Sequence, residues 1–134
     1  MKVAWAVFLA WFLAQLCKVL LHAYRSGKWE WSRIWMNGSM PSAHSSAVAA
    51  LCLSVFLEEG FSLLWATCIV FSLIVLNDSL NVRWQTGVQA SLLTQLIGPK
   101  KTKPLSNTVG HTLSEVGAGM LLGLLITLFI YGLI

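Results

Sequence analysis

Charge is what this sequence has least of. Only 10% of its 134 residues are Asp, Glu, Lys or Arg and 57% are hydrophobic, whereas roughly 25% of an average soluble domain is charged. A soluble core of this size cannot hide so much apolar surface, so lipid is the expected solvent. Cysteine is also scarce: Cys17, Cys52 and Cys68 are odd in number, each sits in an apolar stretch, and no metal-ligand spacing joins them. That argues against a disulfide framework and leaves them as small core or lipid-facing residues. No small-residue cleavage site follows the apolar stretch behind Lys2, so a retained first helix is expected in place of a signal peptide. Internal repeats and low-complexity tracts are missing too.

What is present is a set of apolar runs at residues 3–21, 45–57, 61–76 and 116–134, the first interrupted by Gln15 and Lys18. About 20 apolar residues cross a bilayer, and about 17 suffice when flanking residues snorkel. The expected fold class is all-α: an integral membrane helical bundle of four spanning helices, forming one membrane-embedded domain over residues 1–134. Residues 88–97 make a weaker stretch. Ten residues rise about 15 Å, too little for a core of about 30 Å, so a short interfacial or re-entrant helix is expected there.

Parity then gathers the polar clusters. With that stretch not crossing, Lys18 and Arg25, Ser42 and His44, Asp78 and Arg83, and His111 and Glu115 all fall on one side. Lys28, Arg33, Lys100, Lys101 and Lys103 join them, leaving Lys2 alone opposite. By the positive-inside tendency the crowded side is cytoplasmic. Trp29, Trp31, Trp35 and Trp84 fall near it, at the headgroup level that indole favours.

Ionisable residues at membrane depth are costly and are functional candidates by default. Lys18 can snorkel, Arg25 and Arg83 can anchor at the interface, and Asp78 can pair with an arginine. Pro41-Ser42-Ala43-His44 precedes an apolar helix, where Ser42 can cap and the first-turn N–H groups favour an anion. His111 and Glu115 stand four apart, so in a helical turn the carboxylate can orient the imidazole. His44 and His111, without His-x-x-x-His spacing, and scattered carboxylates make no obvious ligand set, and neither a metal nor another cofactor is expected. Two histidines, several cations and a helix N-terminus at one interface are the parts needed to grip a phosphate, attack it and protonate a leaving alcohol.

These stretches together resemble the phosphatidic acid phosphatase type 2 (PAP2) superfamily, above all its small divergent branch, related to acid phosphatases and vanadium haloperoxidases. The resemblance rests on Leu13-Ala14-Gln15-Leu16-Cys17-Lys18-Val19, Gly38-Ser39-Met40-Pro41-Ser42-Ala43-His44-Ser45, Asn77-Asp78 to Val82-Arg83, and Gly110-His111-Thr112-Leu113-Ser114-Glu115-Val116. Lys18 and Arg25 keep the spacing of the first motif, with Ser26 where the pattern has proline. Ala43 stands for glycine in the second motif. In the third, Glu115 stands for aspartate and Leu105 for arginine, a guanidinium that Arg83 would replace from the preceding loop.

The resemblance implies metal-free phosphoryl transfer through a phosphohistidine. His111 would be the nucleophile, Glu115 its orienting partner and His44 the acid. Lys18, Arg83 and Arg25, with Ser42 and the Ala43 amide, would hold the phosphate, and Asp78 would position Arg83. The implied substrate is a lipid phosphate such as phosphatidylglycerophosphate or phosphatidic acid, with an isoprenyl phosphate or diphosphate equally compatible. A non-catalytic binder of anionic lipid, or a transporter, remains the alternative. The bilayer is the expected partner and nucleic acid is not. Gly117, Gly119 and Gly123 could bring helices close, in a homodimer for instance.

Overall fold

The computed structural model describes residues 1–29, 40–97 and 111–132, the side chains of residues 82–84 and 90 excepted. Arg33, Trp31, Trp35, Lys100, Lys101, Lys103 and Leu105 lie outside the described residues, as do the side chains of Arg83 and Trp84. Among the described residues every regular element is helical: α1 (Lys2–Ser26), α2 (Ala43–Glu59), α3 (Leu63–Asn77), a π-helical segment (Asp78–Val82), α4 (Arg83–Ile97) and α5 (Leu113–Tyr131).

Local chemistry sets the ends. Ser42, Ser62 and Thr112 cap α2, α3 and α5, accepting from the N–H groups of Ser45, Trp65 and Glu115 at 3.4, 3.1 and 3.3 Å. Such caps occupy amides that the first helical turn leaves without carbonyl partners. Helix α1 stops at Gly27, whose φ of 65° is left-handed and whose N–H donates to the Ala23 carbonyl.

Three of the helical runs, α1, residues 63–97 and α5, are long and apolar enough to cross a membrane. Helix α2 has 17 residues and is the hub, packed against α1, α3 and α5, while α1 also meets α5. The contacts are built from small side chains. Ala6, Ala10 and Ala14 on α1 are fully buried, as are Ser45, Ser46 and Ala50 on α2. Ser46 Oγ donates to the Ala10 carbonyl at 3.0 Å. On α5, a Cβ at Gly119 would collide with the Ser42 carbonyl and one at Gly123 with that of Ser46. Without a strong hydrophobic drive between helices in lipid, such close packing and interhelical hydrogen bonds carry association. Two of the three glycines noted in the sequence are thus used inside the chain, while a Cβ on Gly117 would meet nothing within 4 Å.

The stretch expected as a separate short helix continues α3. Residues 63–97 form one helical run of 35 residues, because no proline or glycine stops the chain at Asn77-Asp78 and a π segment carries the backbone onward. At 1.5 Å per residue this is about 50 Å, well beyond a core of about 30 Å, so its far half extends past the apolar layer. Among the described residues, helix α4 packs mainly on the π segment.

At the end opposite the polar clusters, Lys2 Nζ lies 5.1 Å from the Tyr131 ring centroid and Tyr131 Oη donates to Glu58 at 2.8 Å. Phe56, Phe61 and Trp65 meet there edge-to-face or tilted, with centroids 5.1 to 5.8 Å apart, fastening the turn from α2 to α3. Gly123→Ala is expected to lower stability by about 1–3 kcal/mol through overpacking, despite its gain in helix propensity. Gly117→Ala should instead stabilise, by up to about 1 kcal/mol. Thermal unfolding of the two variants in detergent checks the contrast.

Candidate active site

The cluster is built outward from the start of α5. Thr112 and Glu115 form a capping box: Thr112 Oγ1 accepts from the Glu115 N–H at 3.3 Å, and Glu115 Oε2 accepts from the Thr112 N–H at 2.9 Å. The same Oε2 lies 3.1 Å from His111 Nδ1, and the His111 side chain is only 1% exposed. The sequence spacing suggests that His111 and Glu115 share a helical turn. His111 in fact precedes the cap, and the pairing arises because Glu115 reaches back over the first turn. The backbone holds the histidine too: its N–H donates to the carbonyl of Ser79 in the π segment at 3.1 Å.

Helix α2 hangs from the same turn. The Ser42 N–H donates to the Glu115 carbonyl at 3.0 Å, and Ser42 Oγ accepts from the Ser45 N–H and from Ser45 Oγ at 3.4 and 2.9 Å. Ser42 is fully buried, so its polar atoms serve the cap and the α2–α5 joint. Ala43, 1% exposed, and the half-buried His44 are the first two residues of α2. First-turn amides there have no intrahelical acceptor and face outward along the axis with the positive end of the helix dipole.

Helix α1 supplies the cation. The Ser46–Ala10 hydrogen bond sets α1 antiparallel to α2 with Ala14 near the height of Ser42, so Lys18 lies one turn further toward the cluster end. Lys18 is 3% exposed, buried well beyond what a snorkelling anchor needs. Arg25 is exposed and stands about 10 Å further along the helix, so it is not brought into the buried cluster. Asp78, half-buried, opens the π segment directly before Ser79, and Arg83 opens α4 just after it.

The structure therefore gathers Lys18, the start of α2 with Ser42, Ala43 and His44, the start of the π segment with Asp78, and His111 with Glu115. Sequence reasoning passed over Thr112 and Ser79. Thr112 was detectable, since Thr-Leu-Ser-Glu ahead of an apolar run is a capping-box pattern. Ser79 acts through its carbonyl, which no side-chain pattern reports. Beside the cluster, an apolar groove of about 530 Å³ between α1 and α5 begins at Met40 and Pro41 and continues along Leu121 and Leu125.

Fold and cluster together define a membrane protein, all-helical in its described elements, with a buried histidine held by a partly exposed glutamate where its helices meet. The chain belongs to the divergent PAP2 family, whose sequence profile matches residues 1–126. It is 37% identical over 133 residues to the "Uncharacterized membrane protein YuiD" of Bacillus subtilis (strain 168), an alignment covering 86% of this chain and 84% of that protein. No solved structure matches the chain.

Thr112→Ala is expected to lower stability by about 1 kcal/mol through loss of the cap, with Thr112→Ser restoring most of it. Detergent melting curves of the two variants measure the difference.

Proposed function

We propose that the protein is a metal-independent lipid phosphatase that hydrolyses a phosphate monoester through a phosphohistidine. The observation that carries this reading is the buried His111, its Nδ1 on the Glu115 carboxylate and its backbone on Ser79. With the Nδ1 proton directed at Glu115, Nε2 holds the lone pair, as in other carboxylate-oriented histidines.

In the first step Nε2 bonds to phosphorus as the bond to the ester oxygen breaks. That oxygen leaves with the electron pair and takes a proton from His44. In the second step water attacks phosphorus, its proton passes to His44, and the N–P bond breaks to return the pair to Nε2. Glu115 stabilises the positive ring in between. Lys18 and the Ala43 amide offset charge on the phosphoryl oxygens, with Arg83 as a further cation and Asp78 positioning it. Ser42 holds the α2 N-terminus in place and Arg25 attracts the anion from outside.

A lipid substrate is supported by the apolar groove beginning at Pro41, next to the cluster. Phosphatidylglycerophosphate and phosphatidic acid fit this class, as does an isoprenyl phosphate. A cytoplasmic orientation of the cluster is supported by Lys18, Arg25 and Lys28 lying at its end, against Lys2 at the other. Ser26 and Leu105, which depart from the resembling motifs, favour a second reading in which the site binds anionic lipid without turnover.

Phosphate release by the purified protein in detergent, with EDTA present, separates the two. The expected result is release from a lipid phosphate, abolished by His111→Ala and lowered about 10²-fold by Lys18→Met. Glu115→Gln should leave the fold intact, since an amide oxygen still accepts the Thr112 N–H, while slowing release. Lipid binding without release, unchanged in His111→Ala, would establish the second reading.

A further inference from the structure

One polar group of α1 has no part in the mechanism. Gln15 Oε1 is buried and accepts no hydrogen bond from any described residue, and a buried carboxamide oxygen calls for a donor. Its surroundings follow from a groove of about 700 Å³ between α1 and α2, bordered by Ala4, Phe8 and Trp11 on one helix and by Ala47 and Leu51 on the other. Ala4, Phe8, Trp11 and Gln15 follow at four, three and four residues and share a side of α1, while His44, Ala47 and Leu51 follow at three and four and share a side of α2. One step toward the cluster on each wall therefore reaches Gln15 and His44. Cys17, Leu20 and Leu21 border the groove assigned to the lipid tail from the opposite flank of α1, so Gln15 stands off the path of the substrate.

Heights agree as well. The Ser46–Ala10 hydrogen bond puts the His44 backbone level with Phe12 on the antiparallel α1, three residues or roughly 5 Å from Gln15. Side chains lean toward the N-terminus of their own helix, so His44 leans toward the cluster end and Gln15 away from it, which closes that difference. The proposed reaction, on which this inference rests, needs such a partner. To protonate the leaving oxygen, His44 must carry two ring protons. One is given up, and the other N–H must be held if the freed nitrogen is to keep facing the phosphorus and take a proton from water. We propose that Gln15 is a positioning residue whose Oε1 accepts this second ring N–H of His44. It sets the orientation and tautomer of the ring, the part that Glu115 plays for His111, and as a neutral amide it adds no charge beside Lys18. It touches neither the substrate nor the reacting atoms.

The test compares two phosphate monoesters in detergent micelles, dodecyl phosphate and 4-dodecylphenyl phosphate. An alkoxide leaves only with a proton from the acid, whereas a phenolate leaves with little help, so a misplaced His44 slows the first ester and spares the second. Gln15→Met, nearly isosteric and apolar, is expected to lower kcat/KM on the alkyl ester by about tenfold or more, a part of the roughly 10²–10⁴-fold that a placed acid contributes, and on the aryl ester by less than about threefold. Gln15→Glu, which keeps an acceptor oxygen, should restore most of the alkyl rate. In a His44→Ala background, Gln15→Met should change neither rate further, as two residues acting through one group require. A helix-packing role would instead lower both rates together and persist without His44. Equal losses on the two esters, no loss on either, or a Gln15→Glu no faster than Gln15→Met would overturn the inference while leaving the phosphatase reading standing. Release by wild type from neither ester, nor from diacyl or isoprenyl phosphates, would overturn both.

Discussion

The arrangement depends on how closely the backbones of α2 and α5 approach. Gly119 and Gly123 admit the carbonyls of Ser42 and Ser46 where a methyl group would collide. That contact fixes the height of one helix against the other. It brings the start of α2 within reach of the first turn of α5, where the Ser42 N–H meets the Glu115 carbonyl. Helix α1 is registered to the same pair through Ser46 and Ala10, so the depth of Lys18 follows from a seam of alanines, serines and glycines well below it. A small membrane protein with few large side chains in its interior holds a polar site in this way: by backbone proximity rather than by bulk.

The second level of order is the start of α5. A helix beginning at the edge of an apolar layer must satisfy its first amides locally, because little water reaches them. Thr112 and Glu115 do this for each other, and the carboxylate that results is fixed in position before any substrate chemistry is considered. His111 makes use of that fixed group. Orientation of the ring is therefore a by-product of helix capping, and a rigid one, since Ser79 holds the histidine backbone from a different element.

Much of this was legible in the sequence. The apolar runs gave the helices, and a parity argument placed the four polar clusters at one end, which the Ser42–Glu115 and His111–Ser79 hydrogen bonds bear out for three of them. The partnership of His111 with Glu115 was readable from spacing, although its geometry was not, because the capping role of Thr112 shifts the helix start past the histidine. The continuation of α3 into α4 was hidden because Asn77-Asp78 looks like a terminus and a π segment leaves no compositional mark. The glycines of α5 pointed to close approach without naming the partner. Periodicity identifies a face, and only tertiary packing assigns α2 to it. Arg25 illustrates the opposite limit: its spacing from Lys18 is regular, yet the same regularity carries it away from the buried end.

The capping box also gives a physical meaning to Glu115, which stands where the resembling motif has aspartate. A side chain three residues into a helix must turn back across a full turn to meet the amide at the cap, and here it must meet the imidazole before the cap as well. The extra methylene of glutamate supplies that reach, which is why glutamate and glutamine are the residues favoured there. The exchange is therefore one of arm length rather than of acidity. It lets the histidine sit outside the helix, on a segment of chain that the helix itself does not constrain.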